Sequence, residues 1–257
     1  MILSKDVALF TEGELAQLNQ KLERQHPREI LRWAVTEFWP DVAASSSFQT
    51  QGVPLLHMIA QTTPALPIIF LDTGYHFPET LLYRDQLVAR WNLNLQVVRA
   101  TSPNKRRDGG QQVQDLYRTD PDLCCYLNKV EPMQRATAHL TAWISGIRRD
   151  QSPARANIKI VELRASGLLR IHPMATWTRK DIWQYIHDHN LPEHPLLAQG
   201  YLSIGCAPCT RPVFDGEDER AGRWNGHQKT ECGLHTLLRD SNERQQPYVT
   251  GISNEQQ

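Results

Sequence analysis

The chain has 257 residues, 40% hydrophobic and 22% charged, enough apolar content for one sizeable core. Lys+Arg and Asp+Glu balance at 28 each, which argues against a broad nucleic-acid-binding surface and confines anion binding to local clusters. No long apolar run follows the start and none could span a bilayer, so the sequence predicts a cytoplasmic protein without membrane association.

Residues 1–40 read as a helical cap: Leu15, Leu18 and Leu22 recur at helical spacing, and Ile30, Leu31, Ala34, Val35 and Phe38 repeat the pattern before Pro40. Short apolar runs then alternate with amphipathic stretches. A strand from Val42 to Ser47, a helix from Val53, a strand from Pro67 to Asp72, a helix from Pro78 to Trp91 and a strand from Leu95 to Val98 follow in turn. This rhythm predicts an α/β domain over 41–210, a parallel sheet with helices on both faces. Thr101 to Pro121 is polar and reads as a flap, and 178–189 as an amphipathic helix. From Gly205 onward turn residues dominate, so 211–257 is expected to be an irregular, mobile tail.

Open parallel sheets bind ligands beyond the carboxyl ends of their strands. After the first strand, Ser45 to Gly52 is a run of hydroxyls and amides leading into a helix, suited to an anion or to an ordinary helix cap. The second strand exits into Asp72, Thr73 and Gly74, where a carboxylate can accept bonds from a ligand and glycine permits close approach; a capped turn is the plainer reading. Basic residues cluster at Lys105 to Arg107, at Arg148, Arg149 and Arg155, and at Arg211, Arg220 and Arg223.

The five cysteines are Cys124 and Cys125, the C-x-x-C pair Cys206 and Cys209, and the single Cys232. Two pairs suit a four-thiolate site for zinc or an iron–sulfur cluster. Adjacent cysteines reach two irons more easily than one zinc ion. Cys232 lies outside both pairs beside Gly233, with Lys229, His235 and upstream arginines available to favour its thiolate; a free tail cysteine is the alternative.

Together, Cys124-Cys125, the 143–152 segment, the 200–210 segment, Arg220 to Trp224 and Glu231 to His235 closely resemble the cysteine-ligated assimilatory adenylyl-sulfate reductases, within the adenylyl-sulfate/phosphoadenylyl-sulfate reductase family. The resemblance runs from Ala44 to His235 and implies an adenine nucleotide alpha hydrolase-like fold. It implies that Ser45, Ser46, Ser47 and Phe48 form a modified pyrophosphate loop, and that Leu71, Asp72, Thr73 and Gly74 line the substrate. It further implies that Cys124, Cys125, Cys206 and Cys209 ligate a [4Fe-4S] cluster, with Lys129 between cluster and substrate. Arg149, Arg220 and Arg223 would hold the phosphosulfate, and Cys232 would be the nucleophile. The implied partner is thioredoxin or glutaredoxin as thiol donor, and a homo-oligomer is compatible with the sequence. The loop from Ser47 to His57 looks more like that of cluster-free phosphoadenylyl-sulfate reductases, which keeps that nucleotide as the alternative substrate. A zinc-stabilised nucleotide-binding module is the more distant reading.

Overall fold

The computed structural model describes residues 10–101, 116–224 and 229–234. Most of the expected flap, the Lys105 to Arg107 cluster and His235 lie outside the described residues.

Helices α1 (Glu12–Leu22) and α2 (Pro27–Phe38) open the fold. Thr11 and Glu14 form a capping box on α1, and Pro27 occupies the first turn of α2, where a missing N–H costs nothing. Leu22, Ile30, Leu31, Ala34 and Phe38 are buried in the same core as the strands. Burying each such Leu or Ile contributes about 1.5–3 kcal/mol, so these helices belong to the main packing unit.

The predicted alternation follows as β1 (Val42–Ser45), α3 (Val53–Thr62), β2 (Ile68–Asp72), α4 (Pro78–Trp91) and β3 (Leu95–Arg99). Next come α5 (Leu116–Thr119), α6 (Pro121–Cys125), a π-helical turn over Tyr126–Val130 and α7 (Glu131–Thr137). The chain continues through β4 (Ala142–Ser145), β5 (Val161–Leu163), β6 (Leu169–Ile171) and α8 (Arg179–Asp188).

The six strands lie in the order β3-β2-β1-β4-β6-β5. All neighbours pair in parallel except β5 with β6. That antiparallel edge departs from the parallel sheet expected. Only residues 164–168 join β5 to β6, with Gly167 at φ 82°; a hairpin fits that length and a crossover does not. Asn19 of α1 covers the same edge, its side chain donating to Val161 C=O and accepting from Val161 N–H, each at 2.9 Å.

Strands β2 and β4 flank β1 on opposite sides, and Ser45 stands in register with Ser145. A crevice therefore opens at the carboxyl ends of β1 and β4, where the strand order reverses. No helix among the described residues is long and apolar enough to cross a membrane.

Candidate active site

A cavity of about 210 Å³ occupies this crevice. Ser45, Ser46 and Ser47 at the end of β1 line it, as do Ser145 and Gly146 at the end of β4. Lys129, Arg155, Arg220, Arg223 and Cys232 line the same cavity.

The β1 exit is held in shape by its own side chains. Ser45 Oγ accepts from Trp143 Nε1 at 2.8 Å, and Ser46 Oγ accepts from Phe48 N at 3.0 Å. Phe48 takes a left-handed backbone (φ 54°) and turns inward, fully buried and edge-on to Phe70. It anchors the loop and does not line the cavity.

The β2 turn is built differently from expectation. The Asp72 carboxylate accepts from Gly74 N at 3.0 Å and pairs with Arg99 at 2.7 Å, so its bonding is internal. Thr73 Oγ1 lies 3.4 Å from Cys206 Sγ, which places this turn against the cysteines. Leu71 and His76 reach the cavity, whereas Asp72, Thr73 and Gly74 stand beside it.

Four cysteines meet beside Lys129. Asp120 caps α6, accepting from Leu123 N at 2.9 Å, and Pro121 starts the helix that presents Cys124 and Cys125. The π-helical turn then aims Lys129 into both the main cavity and a smaller one. All four paired cysteines line the smaller cavity. Burial pushes the Cys124 thiol up to about 11, and the neighbouring sulfurs add to the rise; Cys125 and Cys209 are raised in the same direction, burial first. Sulfurs packed together in this way repel as thiolates, and a bound cationic centre would relieve the repulsion. Among the described residues, no group of three or more His, Cys, Asp or Glu side chains converges on a single metal ion.

The C-x-x-C loop doubles back on the segment after Arg220. Thr210 bridges to Arg223, and Trp224 N donates to Cys209 O at 2.9 Å. Arg223 lies over the Trp224 ring, 4.6 Å from its centroid, and directly over Gly205, where a Cβ would collide with the guanidinium. Burial lowers the pKa of Arg223, and the Cys232, Cys206 and Cys125 sulfurs oppose that effect. Burial opposes the charge on Lys129 as well, but the Cys206, Cys232 and Cys125 sulfurs hold its pKa above the usual value. Lys129 and Arg223 line both cavities, together with Cys206 and Trp224.

Arg149 is not brought into this cavity. Its guanidinium makes a two-pronged pair with Glu23 at 2.5 and 2.9 Å, and its Nε donates to Ile158 C=O. Arg155, six residues on, lines the cavity instead. Lys229 is also committed elsewhere, paired with Asp122. Sequence reasoning passed over Arg155, Ser145 and Glu231 as site residues; membership of the arginine cluster was the available signal for the first, and adjacency to Cys232 for the last.

Residues 41–212 match the phosphoadenosine phosphosulfate reductase domain family. A curated relative from Mesorhizobium japonicum, named adenosine 5'-phosphosulfate reductase, is 47% identical over 211 residues, covering 81% of this chain and 82% of its own. Another of that name, from Chelativorans sp., is 44% identical over 236 residues, covering 90% of this chain and 95% of its own. Among solved structures, phosphoadenylyl-sulfate reductase from Candida auris superposes with a TM-score of 0.67 at 29% identity, covering 77% of this chain and 97% of its own. The fold is adenine nucleotide alpha hydrolase-like, and the chain belongs to the phosphoadenosine phosphosulfate reductase domain family.

Proposed function

We propose that this chain is an assimilatory adenylyl-sulfate reductase that uses Cys232 as nucleophile and a [4Fe-4S] cluster held by Cys124, Cys125, Cys206 and Cys209. The observation that carries the reading is the meeting of Cys232, Lys129, Arg223 and the Ser45 to Ser47 loop in one cavity at the strand-order reversal. A nucleotide whose phosphate end faces the serines would direct its sulfuryl group toward the lysine, the arginine and the thiol.

The sulfuryl oxygens are anionic, so a thiolate can approach the sulfur only after their charge is offset. Lys129 and Arg223 supply that offset. The Cys232 thiolate then attacks sulfur: a sulfur–sulfur bond forms, the sulfur–oxygen bond to phosphate breaks, and AMP leaves with the electron pair. A thiolate of reduced thioredoxin or glutaredoxin next attacks the Cys232 sulfur, releasing sulfite and leaving a mixed disulfide. The donor's second thiol resolves it, so the donor ends as a disulfide and Cys232 as a thiol.

The cluster fits the donor set, because four sulfurs, three of them buried, line one cavity next to Lys129. When bound, it supplies electrostatic organisation of the sulfuryl end and ties the segment after Gly205 to α6, while the thiols supply the electrons. Phosphoadenylyl sulfate is the second reading, favoured by the sequence of the Ser47 to His57 loop.

Mixing the enzyme with each nucleotide in the absence of thiol donor, followed by mass spectrometry of the tail peptide, tests the reading. An added SO₃ on Cys232 from adenylyl sulfate is expected, and its absence with both nucleotides refutes the mechanism. The Cys232→Ser variant should bind nucleotide and release no sulfite. Iron and sulfide analysis of anaerobically prepared protein tests the cluster: Cys206→Ser should lose iron and colour, and a colourless protein with one zinc would overturn the assignment.

A further inference from the structure

We propose that Glu231 is the positioning residue of the reductase tail: its carboxylate, docked on Arg155, Arg220 and Ser152, sets the Cys232 sulfur against the cavity for the first attack. The inference rests on the reading of Cys232 as the nucleophile.

The dock has several donors. Arg155 gives both prongs of its fork, Nε to Oε1 at 3.0 Å and Nη2 to Oε2 at 2.7 Å. Ser152 Oγ donates to Oε1 at 3.0 Å. Arg220 Nη2 lies 3.3 Å from Oε2 and donates to the Thr230 carbonyl at 2.9 Å, so it grips backbone and side chain together. The Arg155 and Glu231 side chains are only 10% and 8% exposed. A shielded, two-pronged carboxylate of this kind holds its geometry far better than a solvated surface pair.

Holds on either side make the placement of Cys232 specific. Upstream, Lys229 pairs with Asp122 on α6, two residues before Cys124. Downstream, Gly233 turns the chain at φ 81° and Leu234 packs on the cluster of Ala43, Ile69, Met133 and Trp143. Cys232 is therefore bracketed by an ionic dock on one side and an apolar contact on the other.

The charges divide accordingly. Arg155 and Arg220 share the single carboxylate of Glu231, the Arg155 contact being the shorter at 2.7 Å against 3.3 Å. Among the described residues, neither Lys129 nor Arg223 forms an ion pair with a carboxylate, and both line the cavity together with Cys232. Two cations hold the tail and two more line the cavity without a carboxylate partner, and Arg220 serves the tail while its side chain also lines the cavity.

The test compares wild type, Glu231→Gln and Glu231→Asp in a single turnover without thiol donor, reading SO₃ transfer to Cys232, nucleotide affinity and iodoacetamide labelling of Cys232. For Glu231→Gln, transfer should slow by about 100-fold, the scale of a misplaced reacting atom. Nucleotide affinity should change far less than the transfer rate, as for a residue that places the nucleophile rather than the ligand. Labelling should speed up as the tail undocks, and Glu231→Asp should recover part of the transfer rate. An unchanged transfer rate, or tighter nucleotide binding with unchanged labelling, overturns the proposal; the latter would mark Glu231 as a competitor of the substrate. If wild type itself forms no adduct, the nucleophile reading fails, while the labelling comparison still reports whether Glu231 docks the tail.

Discussion

Trp143 on β4 reaches across to β1 and donates its indole N–H to the Ser45 hydroxyl at 2.8 Å. The hydrogen bond joins the two strands whose ends form the crevice, and it directs the first serine of the proposed phosphate loop. Trp143→Phe keeps most of the buried ring and removes the donor. Its cost should be about 1 kcal/mol in urea denaturation, together with a raised KM for the nucleotide. An unchanged KM would show that Ser45 needs no orienting partner.

Arg149 and Arg155 should behave oppositely. Arg149 pairs with Glu23 at a partly exposed site, so Arg149→Ala should cost no more than about 1 kcal/mol of stability and leave KM for the nucleotide unchanged. Arg155→Ala should cut the rate of SO₃ transfer. A raised KM in Arg149→Ala would mean that the arginine swings into the cavity on binding.

Gly205→Ala tests the close approach of Arg223. The added Cβ would occupy the space of the guanidinium, which must shift from its place beside Cys232. Sulfite release should fall by about tenfold or more. If the proposed cluster is present, its iron should persist, because the cysteines themselves are unchanged; loss of iron would show that the loop itself collapses.

Acidification should weaken the fold through His194. This ring is 1% exposed, with Nδ1 accepting from Leu196 N at 3.2 Å and Nε2 within 3.0 Å of Thr80 Oγ1, which requires the neutral form. Burial pushes its pKa down from 6.5 to about 4. The unfolded chain therefore binds the proton first, and stability present above pH 6.5 is lost as pH falls toward 4. Urea midpoints across that window should drop in wild type and drop less steeply in His194→Asn, which starts lower at neutral pH.

Local pattern carried much of the fold. Pro67 to Asp72 is apolar enough to read as a buried strand, and Pro78 marks the start of α4; the structure places β2 and α4 there. The β5–β6 hairpin was not legible, because three-residue strands have too few positions for a periodicity. At the site, residue type and spacing singled out the paired cysteines, Arg223 and Cys232, and the family resemblance singled out Lys129; all of them line one or both of the two cavities. Direction was harder to read. Arg149 and Arg155 are six positions apart, yet their faces are set by two short 3-10 turns and by partners as distant as Glu23 and Glu231. Phe48 sat in a polar run, and only its left-handed turn into the core made it an anchor.

The clasp of Asn19 on Val161 bears on how copies of this chain tolerate one another. A strand at the rim of a sheet offers its free N–H and C=O to any passing chain, and a protein with no net charge has no long-range repulsion to prevent that encounter. By spending one amide side chain on both groups of Val161, α1 withdraws that template from solution. Shortening the chain to begin after α1 would leave both groups of Val161 to solvent or to another chain.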